Sequence, residues 1–178
     1  MESLLVNGKE YQLIKLLGRG KGGYSYLATS QGALVVVKQI HHEPCSYYTF
    51  GNKIQAERCD YAKLCAAGIR VPKLLDIDEQ TERIVKEFVQ GETVFEMVKN
   101  NLPVGNCLQQ VRQMAQQAQS AGLNIDYFPT NFVLQEGLLY YIDYECNAYS
   151  EQWNFENWGK KYWSRTEEFE DYLRAHQN

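Results

Sequence analysis

Gly18-Arg19-Gly20-Lys21-Gly22-Gly23-Tyr24-Ser25-Tyr26-Leu27-Ala28-Thr29 is the stretch whose reading decides the fold. Gly18, Gly20 and Gly23 meet the spacing G-x-G-x-x-G, and the residues after the last glycine decide what that spacing means. In a dinucleotide-binding fold such a turn opens a helix. Here residues 24–29 read as a strand, which removes that meaning. A Walker loop needs Gly-Lys followed by Ser or Thr, and Lys21 is followed by Gly22. Two readings remain. One is a strand–turn–strand lid whose backbone N–H groups lie over phosphates, glycine being needed because a side chain would hold the backbone away from the oxygens. The other is a plain flexible hairpin tip.

Outward from the turn, residues 11–17 read as the strand that enters it. Ser30-Gln31-Gly32 is a hairpin signal, and residues 34–39 form a third strand, β-branched, apolar and central. A loop bracketed by Pro44 and Gly51 carries Tyr47, Tyr48 and Phe50. A helix is predicted over 52–67, stopped by Gly68, with Ile54, Tyr61, Leu64 and Cys65 on one stripe. Residues 71–77 read as an edge strand because Pro72 cannot donate to a ladder, and residues 83–89 as its partner. The chain before residue 90 is thus five antiparallel strands and one helix.

The character changes at Gln90-Gly91. Helices are predicted over 92–100 and over 107–121, the second ended by Gly122. Residues 132–134 and 138–142 form a hairpin around Gln135-Glu136-Gly137. A last helix starts near Ser164, which makes a capping box with Glu167. This is an α+β chain with no internal repeat.

The 178 residues carry a net charge of −4, with 44% hydrophobic and 22% charged residues. That composition suits a globular chain able to bury a core. No Lys/Arg run supports nucleic-acid binding through a broad basic face. No apolar stretch approaches the ~18 residues of a membrane span, and the first residues are too acidic and short for a signal peptide. Cys45, Cys59, Cys65, Cys107 and Cys146 are odd in number and lack C-x-x-C spacing, which points to reduced thiols in a cytoplasmic protein.

Four further residues or motifs follow the glycine turn in order. Lys38 ends Val35-Val36-Val37. A lysine in an apolar strand ordinarily points to the wet face; the alternative is that it lies under the glycine lid. Glu57 sits three residues after Ile54 and four before Tyr61, on the apolar stripe. A carboxylate there is costly unless a cation meets it, and Lys38 is the natural partner. Arg58 and Asp60 fall on the wet side. Asp126 and Asn131 stand in Asp126-Tyr-Phe-Pro-Thr-Asn131, in a stretch without clear regular structure, and Asp143 ends the strand over 138–142. Each alone is an ordinary turn former. Together they are oxygen ligands on a helix–loop–hairpin, and Mg²⁺ carried by a nucleotide would satisfy them.

The joint order resembles the protein-kinase-like superfamily over roughly residues 10–146. The glycine turn looks like G-x-G-x-x-G-x-V with Ser25 at the valine, and Val36-Val37-Lys38 resembles V-A-I-K. Glu57 matches the helix glutamate that pairs with that lysine. Lys86-Glu87-Phe88-Val89-Gln90-Gly91 resembles the hinge, whose backbone groups, here at Glu87 and Val89, read the adenine. Asn124-Ile-Asp126 through Asn131 resembles H-R-D-x-x-x-x-N, and Asp143-Tyr-Glu145 stands where D-F-G would be. Glu57-Arg…Gly68-Ile-Arg-Val71-Pro72 is similar to the RIO kinases and to the kinase subunit of the tRNA threonylcarbamoylation complex. The Asp143-Tyr-Glu145 ending resembles aminoglycoside and choline kinases.

The resemblance implies a two-lobed fold, with an N-lobe over 1–89 and a reduced, mainly helical C-lobe over 90–178. ATP would lie between the lobes near Glu87 to Val89. It implies ATP and Mg²⁺ as cofactors, Lys38 and Asp126 as catalytic residues, and Asn131 and Asp143 as metal ligands. Gly18, Gly20, Gly23, Lys38, Glu57, Glu87 and Val89 would hold the nucleotide. The implied activity is Ser/Thr phosphorylation of a protein or of the chain itself. Asn124 replaces the usual histidine, Glu145 replaces the DFG glycine, and no A-P-E follows. A nucleotide-binding pseudokinase scaffold and a small-molecule phosphotransferase therefore stay open. The aromatics Trp153, Phe155, Trp158, Tyr162 and Trp163 are read mainly as packing, with a share exposed for a partner protein.

Overall fold

A computed structural model describes residues 2–20, 22–43 and 52–177. Lys21, Cys45 and the aromatic loop residues Tyr47, Tyr48 and Phe50 lie outside the described residues. The chain divides into two compact units, one of Met1–Cys59 with Pro72–Phe88, the other of Asp60–Val71 with Val89–Asn178.

The first unit is built on β1 (Ser3–Val6), β2 (Lys9–Arg19), β3 (Gly23–Ser30), β4 (Ala33–Ile40), the start of α1 (Lys53–Ala66), β5 (Leu74–Asp78) and β6 (Arg83–Glu87). Its strands form one antiparallel sheet in the order β1-β2-β3-β4-β6-β5. Six strands stand where five were expected. The extra one, β1, folds back through Asn7-Gly8, whose φ values of 50° and 81° make the left-handed Asn-Gly turn that best matches strand twist. Gln31-Gly32 makes the same kind of turn between β3 and β4, at φ 53° and 80°.

The sheet is curled. β2 is bulged between Leu13 and Lys15 and again between Leu16 and Gly18, and bulges sharpen twist. The two edges then meet: the Asn7 N–H donates to the Asp78 carboxylate at 2.9 Å, and Asn7 Nδ2 donates to Asp76 at 2.8 Å. Strand alternation sorts β4 into two faces. Val35 and Val37 join Val6, Tyr11, Ala28 and Val85 in one core cluster. Ile40 joins Ile54 of α1 and Ile84 in a second, and Lys38 shares that helix-facing side by period 2.

Helix α1 closes as expected at Gly68, which takes φ +81° and donates to Cys65, while Ile69 donates to Leu64. Its stripe is narrower than predicted. Ile54 and Leu64 are buried, but Cys65 is exposed. Pro72 falls before β5 rather than within it, the strand starting at Leu74.

The second unit holds β7 (Glu92–Thr93), α2 (Val94–Lys99), α3 (Gly105–Ser120), β8 (Leu123–Ile125), β9 (Phe132–Gln135), β10 (Leu138–Tyr141), β11 (Cys146–Ala148) and α4 (Glu167–Ala175). A three-stranded sheet runs β10-β9-β7 and a two-stranded one pairs β11 with β8. The predicted hairpin is present, with Glu136-Gly137 at φ 50° and 80°. The predicted helix over 92–100 is shorter, because Thr93 is its N-cap, accepting from the Glu96 N–H at 3.1 Å. Helix α4 is capped by Thr166, which accepts from the Phe169 N–H, not by Ser164. No described helix is long and apolar enough to cross a membrane.

Candidate functional site

In the first unit the glycine turn joins β2 to β3, so the strand reading of residues 24–29 stands. The Gly20 N–H donates to the Gly23 carbonyl at 3.0 Å and the His41 N–H to the Gly22 carbonyl. The His41 ring reaches back as well: Nε2 is 2.8 Å from the Gly20 carbonyl, which can only accept, so Nε2 carries the proton. Nδ1 then accepts the Glu43 N–H at 3.3 Å. Glu43 also takes the Tyr24 hydroxyl and pairs with Arg19 at 3.2 Å, contacts that hold its carboxyl below the usual range, the Tyr24 hydrogen bond most strongly. The turn is thus latched to residues 41–43.

The glycines differ in why they are there. A Cβ on Gly23 would lie 2.5 Å from the Gln39 carbonyl oxygen, inside the neighbouring strand. One on Gly18 would meet nothing, and one on Gly20 nothing nearer than 4.0 Å. Packing therefore demands glycine at 23 only. A Cβ on Gly22 would sit 3.7 Å from Lys38 Nζ, so the turn lies over the lysine.

Lys38 pairs with Ser25 on β3 and Ile84 on β6, which makes its strand central. Its ammonium bonds Glu57 Oε1, and the two side chains are only 13% and 15% exposed. A lysine on the wet face would not be so covered. Glu57 Oε2 is buried and has no hydrogen-bond partner among the described residues. Arg58 is exposed, as expected. Asp60 is not: it is half-buried in the second unit and accepts the Cys146 N–H at 3.4 Å. Glu87 ends β6, its N–H given to the Lys73 carbonyl and its carboxylate accepting the Lys73 N–H at 2.6 Å. Val89 begins the second stretch of the other unit and is buried.

In the second unit Asp126, Asn131 and Asp143 are drawn together by backbone. β8 carries the chain to Asp126, and Pro129–Asn131 make a single 3-10 turn where no regular structure was expected. Asp126 Oδ1 accepts the Phe128 N–H at 3.1 Å. Asn131 gives Nδ2 to the Asp126 carbonyl at 3.4 Å, which turns Oδ1 the other way. The Asn131 carbonyl accepts the Ile142 N–H at 2.9 Å and so seats the residue before Asp143. Asp143 spends Oδ1 on the Tyr144 N–H at 2.7 Å. Among the described residues no group of three or more His, Cys, Asp or Glu could hold a metal. Asn131 and Asp143 are hard oxygen donors, which suits a magnesium ion that takes few protein ligands and keeps water and phosphate for the rest.

Tyr141, a supporting residue, carried no signal in the sequence, whereas Asn124 and the aromatics of residues 153–163 did. The Tyr141 hydroxyl lies between the Asp126 N–H at 3.2 Å and the Glu145 carbonyl at 2.7 Å. Burial first, then the Asp143 and Asp126 charges, push its phenol well above the ordinary range. Trp163 Nε1 donates to the Tyr127 carbonyl at 2.7 Å, and Asn124 Nδ2 donates to the Trp153 carbonyl at 2.9 Å. Asn124 Oδ1 is buried and lacks a partner among the described residues. Phe155 and Trp163 are fully buried, whereas Trp153 is 49% exposed.

No protein-family model matches the chain. Over 81 residues it is 31% identical to the KEOPS complex subunit Bud32 of Pyrococcus abyssi (strain GE5 / Orsay), a match that takes in 43% of this chain and 36% of that protein. The chain thus spans about a third of the length of the curated relative it matches. The likeness supports the protein-kinase-like superfamily at a coarse level, and it fits an α+β chain with a curled N-terminal antiparallel sheet.

Proposed function

We propose that this chain is an ATP- and Mg²⁺-dependent phosphotransferase of the small atypical kinase kind, RIO-like and Bud32-like, acting on a Ser/Thr hydroxyl of a protein or of itself. The observation that carries the reading is the covered Lys38–Glu57 pair with the glycine turn over it. A buried lysine–glutamate pair under a glycine-rich turn is the arrangement that orients nucleotide α- and β-phosphates. The unpartnered Glu57 oxygen fits a site whose polar complement is a ligand.

In this mechanism residues 1–89 act as the nucleotide lobe and 90–178 as the lobe that carries the acid. Gly18, Gly20 and Gly23 keep side chains away from the phosphates. Glu57 holds Lys38 extended, and Lys38 neutralises phosphate charge. Backbone groups at Glu87 and Val89 read the adenine; with the Glu87 N–H engaged by Lys73, its carbonyl is the group for that role. Asn131 and Asp143 would hold Mg²⁺, which would screen charge on the transferring phosphoryl group. Asp126 accepts the proton of the attacking hydroxyl as the new P–O bond forms and the bond to ADP breaks. Positioning and charge stabilisation supply most of the rate. Bud32 is by name a complex subunit, which supports a protein partner here. A cytoplasmic protein that does not bind nucleic acid through a basic face completes the reading.

The test is γ-labelled Mg-ATP incubated with the pure chain, beside Asp126→Ala and Asp143→Ala, with thermal shift run in parallel. Label on protein from the wild type, absent from both variants, is the expected result. Magnesium-dependent stabilisation without transfer would instead support a pseudokinase scaffold. That second reading is favoured by Asn124, which spends its amide on the Trp153 carbonyl where the superfamily has histidine. No stabilisation at all sinks the nucleotide reading.

A further inference from the structure

We propose that Tyr141 is a positioning residue, its one hydroxyl tying the backbone of Asp126 to the segment that carries Asp143. The inference rests on the phosphotransferase reading for its effect on rate, but not for its geometry.

Tyr141 ends β10 and is fully buried, its ring packed against Phe132 at 5.2 Å between centroids. A buried phenol needs partners for its oxygen. Both partners here are backbone groups next to the site. Accepting from the Asp126 N–H sets the peptide from which the candidate base hangs. Donating to the Glu145 carbonyl closes residues 141–145 into a loop with Asp143 at its middle. The rest of the circuit is backbone and amide: Ile142 N–H to the Asn131 carbonyl, and Asn131 Nδ2 back to the Asp126 carbonyl. Asp126, Asn131 and Asp143 are therefore members of one hydrogen-bonded ring, and Tyr141 Oη is the only hydroxyl in it. Phenylalanine would fill the same space and leave the Asp126 N–H and the Glu145 carbonyl without that partner. The loop would then lose registration without losing its packing.

Tyr141→Phe in the full chain tests this, with Asp126→Asn beside it. Site-resolved hydrogen exchange without nucleotide reads the geometry. The Asp126 amide is expected to exchange about tenfold faster in Tyr141→Phe. The Tyr141 amide, held by the Arg70 carbonyl at 2.9 Å, keeps its wild-type rate. Label transfer reads the consequence. kcat falls between about tenfold and a hundredfold, while the KM for Mg-ATP stays within about twofold. An unchanged Asp126 exchange rate overturns the tether, and a wild-type kcat overturns the positioning role. A kcat reduced only in step with the folded fraction also overturns the positioning role. Asp126→Asn with wild-type transfer overturns the phosphotransferase reading instead, and the exchange result still decides whether Tyr141 holds the loop. Should Tyr141→Phe fail to fold, the wild type decides: a slowly exchanging Tyr141 hydroxyl proton with a cross-peak to the Asp126 amide supports the tether, and its absence overturns it.

Discussion

Lys38 and Glu57 show how one residue's position is settled by another. Burying either charge alone is costly, and the pair exists because β4 and α1 present both to the same narrow space. Removing one partner should therefore hurt more than removing both. Lys38→Met or Glu57→Leu is expected to lower unfolding free energy by about 3 kcal/mol, and the double variant to recover most of that loss. Urea denaturation of the four proteins checks it; additive losses would show that the pair is not coupled. Glu57 was legible in the sequence because a carboxylate on an apolar stripe is a local contradiction. Tyr141 was not, since an aromatic at the end of an apolar strand contradicts nothing. Its role depends on where two distant backbone groups lie.

At the scale of elements, turns did most to set the hairpins of both units. Asn7-Gly8, Gln31-Gly32 and Glu136-Gly137 all take the left-handed pair of φ values that a two-residue hairpin needs. Two of the three were read as turns. Asn7-Gly8 carries the same chemistry and marked the sixth strand. The glycine turn is different, because its residues are not there for turn geometry. Gly23→Ala should cost about 1–3 kcal/mol, since the new Cβ meets the Gln39 carbonyl, which belongs to a paired strand and cannot retreat. Gly18→Ala should change stability by less than about 0.5 kcal/mol. Thermal and urea unfolding separate the two. If Gly18→Ala keeps the fold but weakens ATP-dependent stabilisation, its glycine serves the ligand and not the chain.

For the molecule as a whole, the segment over 149–176 matters more than its sequence suggested. Aromatics there were read mainly as packing, and Phe155 and Trp163 are packing. What they pack on is the informative part. Trp163 bonds the Tyr127 carbonyl, and Phe155 and Trp163 meet edge to face. A Cβ on Gly159 would lie 2.6 Å from Tyr127 Cβ. Tyr127 follows Asp126 directly, so the segment braces the loop that carries it. Trp163→Phe removes one N–H and leaves a buried carbonyl unpaired. It should cost about 1–3 kcal/mol of stability and reduce label transfer beyond that loss. Equal transfer per folded molecule would show that the brace serves folding alone.

The sequence by itself determined the α+β alternation, the glycine turn running into a strand, the lysine–glutamate partnership and the order Asp126, Asn131, Asp143. Those follow from local spacing, which periodicity and turn chemistry express directly. Tertiary structure alone decided the curl that joins the two sheet edges through Asn7, the latch of His41 and Glu43 on the glycine turn, the half-burial of Asp60, and the ring closed by Tyr141. Each of these involves a hydrogen bond between groups far apart in the chain or between a side chain and a backbone atom. No residue type specifies such a bond until the fold has fixed where both ends lie.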